Sequence, residues 1–203
     1  MNLANKLTIA RIIVVPLILL FILPIPFEGF EAWNAFVSGF GYIRAFLLFL
    51  AASITDILDG NIARKRKMVS NFGKFMDPIA DKLLVLSVMA ALVQLGLINS
   101  LIFTAFLFRD MVMTALRLVA AEHGKVIAAG VLGKWKTVLQ SVSIHFYLLR
   151  LILASEIAEI PKTWILLTER TADLILGAAL ILSLISGYVY VKDNRALLLD
   201  KDK

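Results

Sequence analysis

The chain has 203 residues, of which 60% are apolar and 18% charged, and it contains no cysteine. A soluble domain is about 45–50% apolar and about 25% charged, so this composition excludes an ordinary soluble enzyme, a disordered protein and a disulfide-stapled secreted domain. It indicates a small protein embedded in a lipid bilayer, and the net charge of +6 suits basic cytoplasmic loops better than nucleic acid.

Six apolar stretches predict six membrane-spanning helices, at about residues 7–23, 42–63, 75–97, 101–121, 137–154 and 172–191. Open sheets cannot cross lipid, and the alternating pattern of a membrane barrel is missing from the sequence. The predicted fold is therefore an all-α bundle that forms one domain over residues 1–203. The first stretch is expected to stay uncleaved, because residues 24–28 offer no small-residue cleavage site.

The loop charges predict the orientation of these spans. Basic residues are concentrated after the second and fourth spans, whereas the segments 24–41 and 96–100 contain no Lys or Arg. The positive-inside rule then places both termini in the cytoplasm. Six spans are consistent with this, since an even number returns the chain to the side on which it started. We expect a multi-pass protein of the cytoplasmic membrane.

Four aspartates lie at the polar ends of two predicted spans, the end of the second and the start of the third. Asp56 and Asp59 are three residues apart and Asp77 and Asp81 are four apart, so each pair shares one helix face. Each Asp at the centre of a span would cost about 2.5–3.5 kcal/mol, so the set requires compensation. Four oxygen ligands without His or Cys suit hard cations such as Mg²⁺ or Mn²⁺ near the cytoplasmic surface.

Neighbouring residues agree with a phosphate ligand beside such cations. Gly60 and Gly73 lack Cβ, which would let a ligand or a helix approach the backbone closely. Arg64 lies one turn beyond Gly60 and can meet phosphate oxygens. The competing interpretation is that such acids are solvated or capping groups, for example Asp77 as the N-cap before Pro78.

The segment 56–81 resembles the signature of the CDP-alcohol phosphotransferases, D-x2-D-G-x2-A-R-x8-G-x3-D-x3-D. All eight defined positions match: Asp56, Asp59, Gly60, Ala63, Arg64, Gly73, Asp77 and Asp81. The resemblance implies a six-helix fold, a homodimer and two divalent cations, the first bound by Asp56, Asp59 and Asp77 and the second by Asp56, Asp77 and Asp81. It also implies that Asp81 deprotonates the acceptor hydroxyl, and that Gly60, Arg64 and Ser70 hold the CDP portion of the lipid donor.

Three cationic residues outside the signature are candidates for binding a phosphate on the acceptor. Arg109 and Arg117 are two helical turns apart on about the same face, and Lys134 precedes the fifth span. The alternatives are an internal ion pair between Arg109 and Asp110, and surface roles for the others. Lys136 in particular is expected to follow the positive-inside rule or to bind anionic lipid.

Three softer similarities concern the acceptor. Residues 2–11, 109–117 and 130–137 are similar to the bacterial phosphatidylglycerophosphate synthases within that family. This implies CDP-diacylglycerol and sn-glycerol 3-phosphate as substrates, with phosphatidylglycerol phosphate and CMP as products. Asn5 and Thr8 would line the nucleotide pocket; alternatively, the opening segment is an interfacial helix anchored by Lys6 and Arg11.

Two other functions are kept open. A sister enzyme would share the signature and use another acceptor, giving cardiolipin, phosphatidylinositol phosphate or phosphatidylserine. A divalent-cation transporter would use the same aspartates, but it should carry ionisable groups near mid-membrane and often shows two related halves. The second half of this sequence has no counterpart of the signature.

Overall fold

The computed structural model describes residues 3–66, 71–122, 130–155 and 160–194, and within them all side chains except those of 3–7, 56–66, 71–78, 81 and 122. This part of the chain is helical and contains no strand, which confirms the all-α class. The helices are α1 (Leu3–Ile22), α2 (Glu31–Phe36), α3 (Tyr42–Arg66), α4 (Asn71–Gln94), α5 (Ser100–Glu122), α6 (Val131–Leu153) and α7 (Lys162–Asp193), and a π-helical turn, Val37–Gly41, joins α2 to α3.

Each predicted span overlaps one long helix, but the number of membrane crossings stays a prediction. Among the described residues, two helical stretches are long and apolar enough by themselves to cross a bilayer, Glu31–Thr55 and Lys162–Asp193. Two shorter apolar helical stretches are Thr8–Ile22 and Lys82–Gln94.

Helix α7 begins ten residues before the sixth predicted span, which starts at residue 172. The additional turns contain Glu169, whose Oε2 lies 3.0 Å from Nε of Arg150 on α6. This ion pair joins the two helices, and the segment between the fifth and sixth predicted spans is helical from Lys162 onward. Pro161 immediately precedes α7, where its fixed φ and missing N–H are tolerated.

The predicted loop 24–41 also contains helical structure. Phe21 at the end of α1 stacks on Trp33 of α2, with ring centroids 6.1 Å apart, and Trp33 packs in turn on Phe36. The Asn34 side chain accepts a hydrogen bond from the Ile25 N–H and donates one to the Ile25 carbonyl. These contacts hold α2 against the end of α1.

The hydrophobic core lies where α1, α3, α4, α6 and α7 meet. On α1 the buried apolar residues are Val15, Ile18 and Ile22, spaced by three and four along one face. Fully buried side chains from the other helices complete the core, namely Phe49, Met89, Leu92, Ile144, Leu148 and Leu176. The contact between α6 and α7 is the most extensive in the bundle.

The start of α3 packs directly on the end of α1. A Cβ built on Gly41 would lie only 2.9 Å from the main-chain oxygen of Phe21, so only glycine permits this approach. Since the start of one helix meets the end of the other, α1 and α3 run antiparallel. This contact fixes the position of α1 and α3 relative to each other along their axes.

Candidate functional site

The signature positions lie on two long helices. Asp56 and Asp59 are in α3, and Asp77 and Asp81 are in α4. Gly60 and Arg64 are also in α3, and Gly73 is in α4. The side chains of the aspartates, Arg64 and Asn5 lie outside the described residues, as does all of Ser70. The metal and nucleotide contacts therefore stay predictions. The structure describes the residues around these positions.

The polar end of α1 is buried, and α1 packs against both α3 and α4. Thr8 is 3% exposed and Arg11 is 5% exposed, on the face that continues as the apolar core face of α1. The burial of Arg11 argues against an interfacial helix anchored by that residue.

Helix α4 is joined to α5 immediately after position 81. Nζ of Lys82 donates hydrogen bonds to Oγ1 of Thr114 and, at 3.4 Å, to the main-chain oxygen of Asp110. The Thr114 hydroxyl donates to the same Asp110 oxygen at 2.7 Å. Position 81 on α4 is therefore level with residues 110–114 on α5.

The side chain of Asp110 is held by two cations. Nζ of Lys136 on α6 lies 3.0 Å from Oδ1 and 2.8 Å from Oδ2, and Nη1 of Arg109 lies 3.1 Å from Oδ1. The Lys136 side chain is 3% exposed and that of Asp110 is 10% exposed. The expectation that Lys136 faces anionic lipid or solvent is wrong, because a carboxylate buried in α5 takes it as its partner.

Arg109 forms the ion pair with Asp110 that the sequence offered as an alternative to phosphate binding. This pair uses only part of the hydrogen-bonding capacity of the guanidinium. Nη1 bonds to Asp110, and Nη2 donates to Oγ of Ser186 on α7 at 2.8 Å. Nε is buried and has no hydrogen-bond partner among the described residues. Arginine has five N–H donors, so these two contacts leave three of them for other acceptors.

Two glycines give this guanidinium its space. A Cβ on Gly133 would lie 3.4 Å from Nη2 of Arg109, and one on Gly187 would lie 3.4 Å from its Cγ. Lys134, an exposed residue, directly follows Gly133, so the start of α6 is brought beside Arg109.

Arg117 lies two turns further along α5, about 12 Å by helical rise. It is exposed, and its guanidinium carbon is 5.9 Å from the ring centroid of Tyr190 on α7. The structure thus brings Arg109 and the start of α6 together, and it places Arg117 at a separate contact with α7.

These contacts form a connected polar layer across four helices, α4 to α7. Its members are Lys82, Arg109, Asp110, Thr114, Lys136 and Ser186. It includes three cationic side chains and one carboxylate, a net charge of +2 for these residues. A partly buried excess of positive charge is costly unless anions lie nearby. The layer therefore suits a neighbourhood of carboxylates and phosphates.

The sequence predicted a role for Arg109 but not the pairing of Asp110 with Lys136. The available signal was Asp110 itself, an acid within an apolar stretch.

The donor set fits divalent cations, although the described side chains include no cluster of three His, Asp or Glu. The four signature aspartates, which lie outside those side chains, supply only oxygen ligands, as Mg²⁺ and Mn²⁺ prefer. His145 on α6 bonds to the Ser141 carbonyl through Nδ1 at 2.8 Å, and its ring packs on Phe46 and Phe49 of α3.

Comparison with known proteins connects this chain to a family. The family model described as CDP-alcohol phosphatidyltransferase matches residues 1–185. The chain is 37% identical to a CDP-diacylglycerol–glycerol-3-phosphate 3-phosphatidyltransferase of Bacillus subtilis, over 95% of each chain. It is 38% identical to the enzyme of the same name from Rickettsia typhi, over 94% of this chain and 96% of the relative. A probable phosphatidylglycerophosphate synthase of Mycobacterium tuberculosis is 35% identical, over 94% of this chain and 80% of the relative.

Proposed function

Because the chain belongs to the CDP-alcohol phosphatidyltransferase family, which is membrane-bound, we propose that it transfers the phosphatidyl group of CDP-diacylglycerol to sn-glycerol 3-phosphate. The products are phosphatidylglycerol phosphate and CMP. The proposal is supported by relatives named for this activity that cover nearly the whole chain. The observation that carries it in the structure is the link from Lys82 to α5, because it sets the helix of the proposed base beside the turn that carries Arg109.

The proposed topology has six spans with both termini in the cytoplasm. The overlap of six long helices with six apolar stretches supports the number of spans, and the basic segments around residues 64–74 and 117–136 support the orientation. The lipid donor then reaches the site from the bilayer of the cytoplasmic membrane, and the water-soluble acceptor reaches it from the cytoplasm. A homodimer is part of the proposal.

The proposed cations are two Mg²⁺ or Mn²⁺ ions. Asp56, Asp59 and Asp77 would hold one, and Asp56, Asp77 and Asp81 the other. When bound, these ions neutralise the pyrophosphate of the donor and polarise the phosphorus under attack. Asp81 is the proposed base, as the resemblance of the signature to the family implies.

The proposed binding residues divide between the two substrates. Asn5, Thr8, Gly60, Arg64, Ser70 and Gly73 form the CDP-diacylglycerol site, and Arg109, Arg117 and Lys134 form the site for the acceptor phosphate. The burial of Thr8 supports the first group. The unused donors of Arg109 and its proximity to Gly133, the neighbour of Lys134, support the second.

The reaction exchanges one phosphorus–oxygen bond for another. The acceptor hydroxyl oxygen attacks the phosphorus that carries diacylglycerol, and its proton passes to Asp81. The bond from that phosphorus to the CMP oxygen breaks, and the electron pair leaves with CMP. Arg109 holds the acceptor by its separate phosphate group, so the hydroxyl is oriented before it reacts.

The test uses purified protein with CDP-diacylglycerol, Mg²⁺ or Mn²⁺, and a panel of acceptors. We expect CMP and phosphatidylglycerol phosphate to form only with sn-glycerol 3-phosphate, and Asp81→Asn to remove this activity. Product formation with serine, inositol phosphate or phosphatidylglycerol instead would refute the proposed acceptor. Metal flux in liposomes without CMP release would identify a transporter.

A further inference from the structure

We infer that Asp110 and Lys136 are positioning residues for the acceptor phosphate: Lys136 occupies the Asp110 carboxylate, so that the positive charge of neighbouring Arg109 stays available to the acceptor. This inference rests on the proposed function, whose acceptor site it specifies further. Neither residue touches the substrate in this scheme, and both act through Arg109.

The Asp110 carboxylate is shared unevenly between its two cationic partners, Lys136 and Arg109. Lys136 approaches both oxygens, at 3.0 and 2.8 Å, whereas Arg109 reaches only Oδ1, at 3.1 Å through Nη1. An arginine beside a carboxylate commonly forms two parallel hydrogen bonds with it. Here Lys136 fills that place, and Ser186 holds the other end of the guanidinium at 2.8 Å.

The two cations, Lys136 and Arg109, differ in the exposed fraction of their side chains, and this difference separates their roles. The Lys136 side chain is 3% exposed, so it cannot itself meet a water-soluble acceptor, whereas the Arg109 side chain is 16% exposed. A pair of Lys136 and Asp110 would already be neutral. Arg109 therefore adds one positive charge that the triad leaves uncompensated, which suits a phosphate.

The charge balance predicts an unusual order of variants. Lys136→Met lowers the net charge of the triad from +1 to 0 and frees the carboxylate for Arg109, so the KM for glycerol 3-phosphate should rise about tenfold. Asp110→Asn combined with Lys136→Met restores +1, and the KM should return to within about threefold of the unmodified protein. The KM for CDP-diacylglycerol should stay within about twofold in both, because the donor site is separate.

Two further variants complete the set. Arg150→Met is the matched control, since it breaks another ion pair of α6, with Glu169, at the opposite end of that helix; it should leave both KM values unchanged. Ser186→Ala removes no charge and releases Nη2 of Arg109, so it should raise the acceptor KM even if Lys136→Met does not fold.

A second measurement does not depend on turnover. Inorganic phosphate should raise the thermal unfolding midpoint of the unmodified protein, and this rise should be absent in Lys136→Met and present in the double variant. If glycerol 3-phosphate is not turned over but these phosphate shifts appear, the proposed function fails and the positioning role stands. An unchanged acceptor KM in Lys136→Met, an equal rise in both KM values, or a double variant no better than Lys136→Met overturns the inference. Absence of both turnover and phosphate shift refutes both proposals.

Discussion

Replacing Asp110 with Asn removes the charge that stabilises Lys136 inside the bundle. The Lys136 ammonium is bound at both carboxylate oxygens, and its side chain is 3% exposed. Breaking a buried ion pair by removing one partner costs about 3–5 kcal/mol. The amide oxygen of Asn still accepts one hydrogen bond, so the loss should lie near the lower value.

The matched control is Glu169→Gln, the same change in a more exposed ion pair. Glu169 and Arg150 are 33% and 27% exposed, and such pairs contribute about 0.2–1 kcal/mol. In a protein of this length one kcal/mol shifts the unfolding midpoint by about 2–4 °C. We therefore expect a decrease of at least about 6 °C for Asp110→Asn and of less than about 4 °C for Glu169→Gln.

The assay is thermal unfolding of each variant in the same detergent, followed by the fluorescence of the three tryptophans. Asp110→Asn combined with Lys136→Met should recover most of the loss, since the charge of Lys136 is then gone and Arg109 keeps its hydrogen bond to Ser186 and can donate to the amide oxygen at position 110. Equal decreases for Asp110→Asn and Glu169→Gln would refute the argument from burial. A double variant as unstable as Asp110→Asn alone would refute the argument from charge.

Three other predictions follow from the contacts described. Gly41→Ala should destabilise the protein by about 1–3 kcal/mol, because its Cβ would lie 2.9 Å from the Phe21 oxygen; Gly177→Ala, with nothing within 4 Å, should be neutral or stabilising, and the two are compared by thermal unfolding. Arg117→Ala should raise the KM for glycerol 3-phosphate less than Arg109→Ala, because solvent screens the exposed Arg117 more strongly; acceptor titrations that give the opposite order would contradict this. Chelation by EDTA should abolish CMP release, and Mg²⁺ or Mn²⁺ should restore it and raise the unfolding midpoint, whereas activity retained in EDTA would exclude the two-cation proposal.

The positions of the long helices could be predicted because apolar composition and length are local properties of the chain. The start of α7 could not, since Glu169 meets a partner nineteen residues away in sequence. The aromatic contacts that hold α2 are likewise tertiary: Trp33 packs on a residue of another helix.

The candidate site was predictable to different degrees for the same reason. The signature and Arg109 are recognisable from residue type and spacing. The role of Lys136 is not, because a lysine near the end of a span usually faces water, and only the fold brings it to a carboxylate 26 residues away. The charge of the polar layer is a property of three helices together, α4, α5 and α6.

The triad of Arg109, Asp110 and Lys136 also constrains the biogenesis of the proposed six-span protein. Helix α5 carries two adjacent charged residues near its middle, and each costs about 2.5–3.5 kcal/mol when a helix enters the membrane by itself. Lys136, the partner of Asp110, belongs to the following helix, which leaves the ribosome later. A nascent chain that stops at Glu122 should therefore insert α5 poorly, and synthesis of α6 should allow the two helices to enter as a hairpin.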